Sequence, residues 1–178
     1  MLTLAQAAHG GPWRLPPLVR AEVTQQEARG LAMTGESRKV VDAKLNEAWE
    51  VFTTAEATTS ELGYHYDRAL LTMQTAICYC EAGRPGEAAQ VYREHLNDGR
   101  ISHRDRGYFL SLTASAWAQV AELGNAASAG QEALVIAVET YSLRTIHELK
   151  RVCVLLEPWR SQPVVRDLRE AVLPLSDG

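Results

Sequence analysis

The stretch CYCEAGRPGEAAQVYREHL, residues 78 to 96, constrains the fold more than any other part of the chain. It ends one apolar-periodic helix, turns at Gly83 and starts a second helix with Pro85 at its first position. Ala76 and Tyr79 lie seven and four residues before the glycine, and Ala88 and Tyr92 lie five and nine after it. Small residues at the points of close approach let two helices cross tightly, and aromatics one turn further on fill the gap. Such a hairpin either places a helix in a DNA groove or forms one copy of a stacking unit.

The remainder of the chain favours stacking. Apolar residues recur at helical spacing almost throughout, and no Asn-Gly or Asp-Gly turn joins two alternating β-branched runs. The spacing predicts helices near 2–9, 17–33, 36–54, 61–82, 85–97, 104–122, 125–139, 142–156 and 162–172. Between them lie HGGPWRLPP, TGES, AGRPG, LNDGRISH, ELGN and EPWRSQP, which carry the Gly, Pro, Ser and Asn residues that stop one helix and cap the next. Gly124 repeats the arrangement around Gly83, with Ala116, Trp117 and Val120 before it and Ala129 and Ala133 after it. Gly35 repeats it more loosely with Ala28 and Leu31. The three glycines are 48 and 41 residues apart, so the period is irregular. Three copies of one supersecondary unit predict an all-α fold, a superhelix of stacked antiparallel hairpins near 17–54, 61–97, 104–139 and 142–173. These would form a single domain over 1–178, with 1–9 as a capping helix or the remnant of a further repeat.

Charge and motif content narrow the function. The 178 residues are 46% hydrophobic and 22% charged, which suits a packed globular chain. A net charge of −4 offers no broad basic footprint for phosphates, so direct nucleic-acid binding is not expected. MLTLAQAAHGGPW lacks the basic start of a signal peptide, and no run approaches the ~18 apolar residues of a membrane span. With three cysteines and no disulfide pattern, a reducing cytoplasm is the expected location. Cys78 and Cys80, two apart on a helix, point to opposite sides and read as small buried hydrophobes rather than paired ligands. The histidines at 9, 65, 95, 103 and 147 show no ligand spacing, with His65 between Tyr64 and Tyr66 in a packing role. No nucleophile elbow, phosphate loop or paired acidic motif is present, so neither an enzyme nor a cofactor is expected. Trp13 and Trp159 stand beside prolines, where each would cover a helix end or mark a contact patch.

The small–x–x–aromatic, Gly, Ala, aromatic pattern over 76–92 resembles a tetratricopeptide repeat. The stretch RDRGYFLSLTASAWAQVAELGNAASAGQEAL, followed by SLRTIHELKRVCVLLEPWRSQPVVRDLREAV, resembles the C-terminal part of actinobacterial helix-turn-helix regulators of the xenobiotic-response-element type. Arg104, Asp105 and Arg106 opening a helix, Gly124, Ala129, Ala133, Ser142, Arg144, Leu149, the Pro158–Trp159 bend and Val165 carry this likeness. It covers essentially the whole chain, most strongly in the last third, and it does not extend to the DNA-binding domain of such regulators. It implies a regulatory module that binds a peptide, a partner protein or a small-molecule effector, with a homodimer open to it. A standalone adaptor without effector switching is the alternative.

In tetratricopeptide folds the first helix of each hairpin lines a concave groove. Carried over through the turn glycines, the likeness places Gln25, Arg29 and Met33 in that groove, with Glu22 beside them. Leu70, Met73, Ile77 and Glu81 follow from the second hairpin, and Ser111, Ala114, Ala118 and Glu122 from the third. Arg144 and Glu148 follow from the last, with Arg151. Met73 and Ile77 also have the spacing of residues packed on the next helix. The loop DGRISHRDRGYF concentrates Arg100, His103, Arg104 and Arg106 among Asp98 and Asp105, with Ser102 as helix cap. It reads as a solvated helix start or as a contact for an acidic partner.

Overall fold

The computed structural model describes residues 2–11, 14–56, 66–97 and 99–175. Trp13, Tyr64, His65 and Asp98 lie outside the described residues. The fold is all-α, and the described residues contain no strand. The chain divides into two compact units, Met1–Arg84 and Pro85–Gly178, so the helices of the hairpin expected at 61–97 fall in different units.

The first unit holds α1 (Leu2–Gly10), α2 (Pro17–Met33), α3 (Arg38–Glu56) and α4 (Arg68–Glu81). Pro17 opens α2 at a position where the missing N–H costs nothing. Helix α4 starts seven residues later than the sequence spacing predicts, because the Asp67 carboxylate accepts from the Leu70 N–H at 2.8 Å and caps it there. Packing falls on α2, which touches α1, α3 and α4. Ala28, Ala32, Val41, Leu45 and Cys78 form one buried cluster, and Ala21, Phe52, Tyr66 and Leu71 form another. Trp49 meets Phe52 edge-on at 6.1 Å and donates from its indole N–H to Thr75 Oγ1 at 3.3 Å. Gly30 is required by α1, since a Cβ there would lie 2.8 Å from the Leu2 Cα.

The second unit holds α5 (Pro85–His95), α6 (His103–Gln119), α7 (Leu123–Glu139), α8 (Leu143–Leu155) and α9 (Pro163–Val172), with a 3-10 turn at Glu157–Trp159. Ser102 caps α6 by accepting from the Asp105 N–H at 3.1 Å. Helix α6 packs on α5, α7 and α8, while α9 packs on α7 and α8. Leu149 and Val152 on α8 and Leu168 and Val172 on α9 are fully covered. Complete burial of one such side chain contributes roughly 1.5–3 kcal/mol. At the α6–α7 crossing Gly107 leaves room for Ile136, whose Cγ2 would be 2.6 Å from an added Cβ.

The turns correct the expected register. Gly35 and Gly83 have φ of 80° and 71°, and the same left-handed position after α6 is held by Ala121, at φ 59°. Each closes its helix with one hydrogen bond pattern: Glu36 N–H to Leu31 O at 3.1 Å, Arg84 N–H to Tyr79 O at 2.8 Å, and Glu122 N–H to Trp117 O at 3.0 Å. Tyr141, at φ 50°, ends α7 in the same way through Ser142 N–H to Ala137 O at 2.9 Å. Gly124, expected in the turn, is instead the second residue of α7. The reason is the tight closure of the loop: Leu123 can already enter the next helix two residues after the left-handed position, as Pro85 does after Gly83.

Candidate functional site

Aligned on the left-handed residues Gly35, Gly83 and Ala121, the first helix of each hairpin carries equivalent positions thirteen, ten, six and two residues earlier. They are Glu22, Gln25, Arg29 and Met33 on α2, and Leu70, Met73, Ile77 and Glu81 on α4. On α6 they are Tyr108, Ser111, Ser115 and Gln119, so Ala114, Ala118 and Glu122 leave the groove set. Exposure supports the new register: the residue ten before the turn is buried in all three helices, and the residue two before it is exposed in all three. Ala114 now matches Ala28 and Ala76, and all three are fully buried. Glu122 stands in the turn and is exposed.

In the first unit most of the expected floor is interior. Gln25 and Met73 are fully buried and Ile77 nearly so. The Gln25 amide donates to Cys78 Sγ at 3.3 Å and to Gln74 O at 3.4 Å, tying α2 to α4. Above it Arg29 pairs with Glu81 at 3.2 Å, both half-exposed. Met33 is 56% exposed at the end of α2, and Leu70 is half-buried. Tyr66 OH and Gln74 Oε1 are buried without a hydrogen-bond partner among the described residues, and burial holds the Tyr66 phenol neutral. Burial also pushes the Cys78 thiol up to about 11, partly opposed by the Gln25 hydrogen bond. Cys80 is pushed up to about 12 by burial and by Glu81. These thiols are poor nucleophiles at neutral pH.

In the second unit the two tight turns reverse the chain twice, so α6 and α8 run the same way side by side. The Arg144 guanidinium sits 3.4 Å from the centre of the Tyr108 ring, a cation–π contact joining the two helices. Tyr108 was missed by the sequence reading because Gly124 offered itself as the turn residue and displaced the register by three. Further along α8, Glu148 pairs with Arg151 at 3.1 Å, the arginine side chain 77% exposed. Ser111 is fully buried and its hydroxyl donates to Tyr108 O at 2.6 Å. Arg104 continues the α6 stripe one turn before Tyr108 and is exposed. The face therefore carries Arg104, Arg144 and Arg151 around a half-buried tyrosine, with Glu148 as its carboxylate.

Of the other basic residues in the α5–α6 loop region, His103 pairs with Glu139 at 2.8 Å and Arg106 pairs with Glu132. Trp159 is half-buried in its 3-10 turn. Among the described residues no three His, Cys, Asp or Glu side chains are grouped to hold a metal ion, and no helix is long and apolar enough to cross a membrane. No protein-family model matches the chain, nor does any curated protein or solved structure.

Proposed function

We propose that the chain is a tetratricopeptide-like interaction module that receives an acidic, extended segment of a partner protein along the α6–α8 face. The observation that carries this reading is the concentration of Arg104, Arg144 and Arg151 there, in a chain whose net charge is −4. Guanidinium groups bind carboxylates in a bidentate manner, and the Tyr108 ring holds Arg144 ready for such a pair. As the resemblance implies, the module would serve as the regulatory arm of a transcriptional regulator. Binding would favour one arrangement of the hairpins and bias an attached domain. No catalytic step is required.

The test is fluorescence anisotropy with a labelled decapeptide of alternating Glu and Leu, against its Lys–Leu counterpart. Saturable binding of the acidic peptide alone is expected, weakening between about 50 and 500 mM salt, over which the Debye length falls from roughly 14 to roughly 4 Å. The double substitution Arg144→Ala and Arg151→Ala should weaken it by about tenfold or more, each lost charged contact removing ~1 kcal/mol. Arg160→Ala with Arg166→Ala, at the end of the 3-10 turn and on α9, should leave it unchanged. Equal loss in both double variants would show non-specific attraction and remove the face assignment. Exchange rates elsewhere in the chain that respond to the peptide would support sensing, and a purely local response would support the adaptor.

A further inference from the structure

We infer that the second unit has a separate small-molecule site, a pocket of about 230 Å³ between α5, α6 and α7 that takes a compact organic carboxylate with an apolar body. On α6 it is lined by Arg106, Leu110, Thr113 and Trp117. These lie two residues out of step with the stripe Arg104, Tyr108, Ser111 and Ser115, which is about 200° around a helix of 3.6 residues per turn. The pocket therefore opens on the opposite side of α6 from the arginine face. Its volume equals about eight waters at ~30 Å³ each. That is room for a ligand of amino-acid size and too little for a peptide segment.

The walls specify the chemistry. Trp117 supplies a flat aromatic wall, and Leu96, Leu110 and Ala129 supply apolar ones. Arg106 lines one end, where its charge is already used by Glu132, and it also donates to Asn97 at 3.4 Å. Thr113 is likewise occupied, its hydroxyl donating to Phe109 O at 2.8 Å. Arg93 differs: it is exposed on the last turn of α5, lines the pocket, and makes no ion pair with a described residue. Ser128 and Asn125 border the opening on α7 with further hydrogen-bonding groups. With the charge of Glu132 cancelled by Arg106, Arg93 gives the pocket a cation that has no ion pair among the described residues, beside an aromatic wall. The lining is mixed, with Leu96, Leu110, Trp117 and Ala129 set among seven polar or charged side chains, which suits a ligand with a small apolar body and a charged end. An anion with a ring or short chain would place its body on Trp117 and its carboxylate at Arg93.

The experiment uses the full chain, uniformly ¹⁵N-labelled, titrated with 3-phenylpropionate and separately with its neutral amide. The expected result is saturable shifting of the Trp117 indole N–H and of backbone amides in the pocket, with the carboxylate at least about threefold tighter, as suits a partly exposed ion pair. Arg93→Ala should abolish the preference for the carboxylate. Ala129→Leu should block both probes by filling the pocket while the remaining amide spectrum stays in place. Absence of saturable shifts, equal affinity of acid and amide, or a preference that survives Arg93→Ala would each overturn the site.

Discussion

Replacing Gly124 by Ala tests the corrected register, because the two possible placements of this residue predict opposite signs. In the structure Gly124 is the second residue of α7, and an added Cβ would have nothing within 4 Å. The substitution therefore trades a flexible residue for a good helix former in open space, stabilising by roughly 0.5–1 kcal/mol. Gly35 is the control: its φ is 80° and its surroundings are equally open. Alanine there meets the left-handed penalty of roughly 1–2 kcal/mol. The smaller entropy of the unfolded chain offsets ~0.4–1 kcal/mol of that, leaving a net loss of roughly 0.5–1. At about 2–4 °C per kcal/mol for a chain of this length, Gly124→Ala should raise the thermal midpoint by about 1–4 °C and Gly35→Ala should lower it by a similar amount. The assay is the helical circular dichroism signal on heating, with urea unfolding as a check. A Gly124→Ala midpoint that falls as far as that of Gly35→Ala would refute the assignment of Ala121 to the turn. It would restore the glycine-based register and, with it, the groove set Ala114, Ala118 and Glu122.

Two further outcomes follow from burial. Met73 is fully buried, so Met73→Glu should cost more than ~3 kcal/mol and destroy helical signal in the first unit, whereas Met73→Leu should cost less than ~1.5 kcal/mol in urea unfolding. Cys78 and Cys80 have folded values near 11 and 12, above the ordinary 9.0, so the folded state holds their protons more tightly. Their stabilising contribution is complete below pH 9.0 and is lost as pH rises through about 11 to 12. Substituting both with Ala should flatten the decline of the thermal midpoint between pH 9 and 11, and native thiols should react with a disulfide reagent at pH 8 far more slowly than unfolded ones.

Most helices were legible because their apolar spacing and their stop signals agree. Pro17, Pro85 and Pro163 open helices where the sequence spacing puts them, within a residue. What was not legible lies where local hydrogen bonding or a long-range contact outweighs the residue that a local geometry prefers. Ala121 and Tyr141 occupy a left-handed position that composition assigns to glycine, held there by hydrogen bonds back to Trp117 and Ala137 on either side of them. The start of α4 is not legible because Tyr66 fits a helical pattern equally well, although in the structure it lies just before the Asp67 cap, outside the helix, and packs on Phe52 at 6.3 Å. Gln25 was legible as an inward-facing residue and not as a buried one, since its pairing with Cys78 spans 53 residues. The same is true of the Tyr108–Arg144 contact, which no local pattern announces.

The most direct measurement of the proposed function is hydrogen exchange by mass spectrometry on the full chain, with and without saturating acidic Glu–Leu decapeptide. Slowed exchange over α6 and α8, residues 103–119 and 143–155, reversed by the Arg144→Ala and Arg151→Ala double variant, is the expected result. Protection confined to other helices, or unchanged by the double variant, would contradict binding at the arginine face.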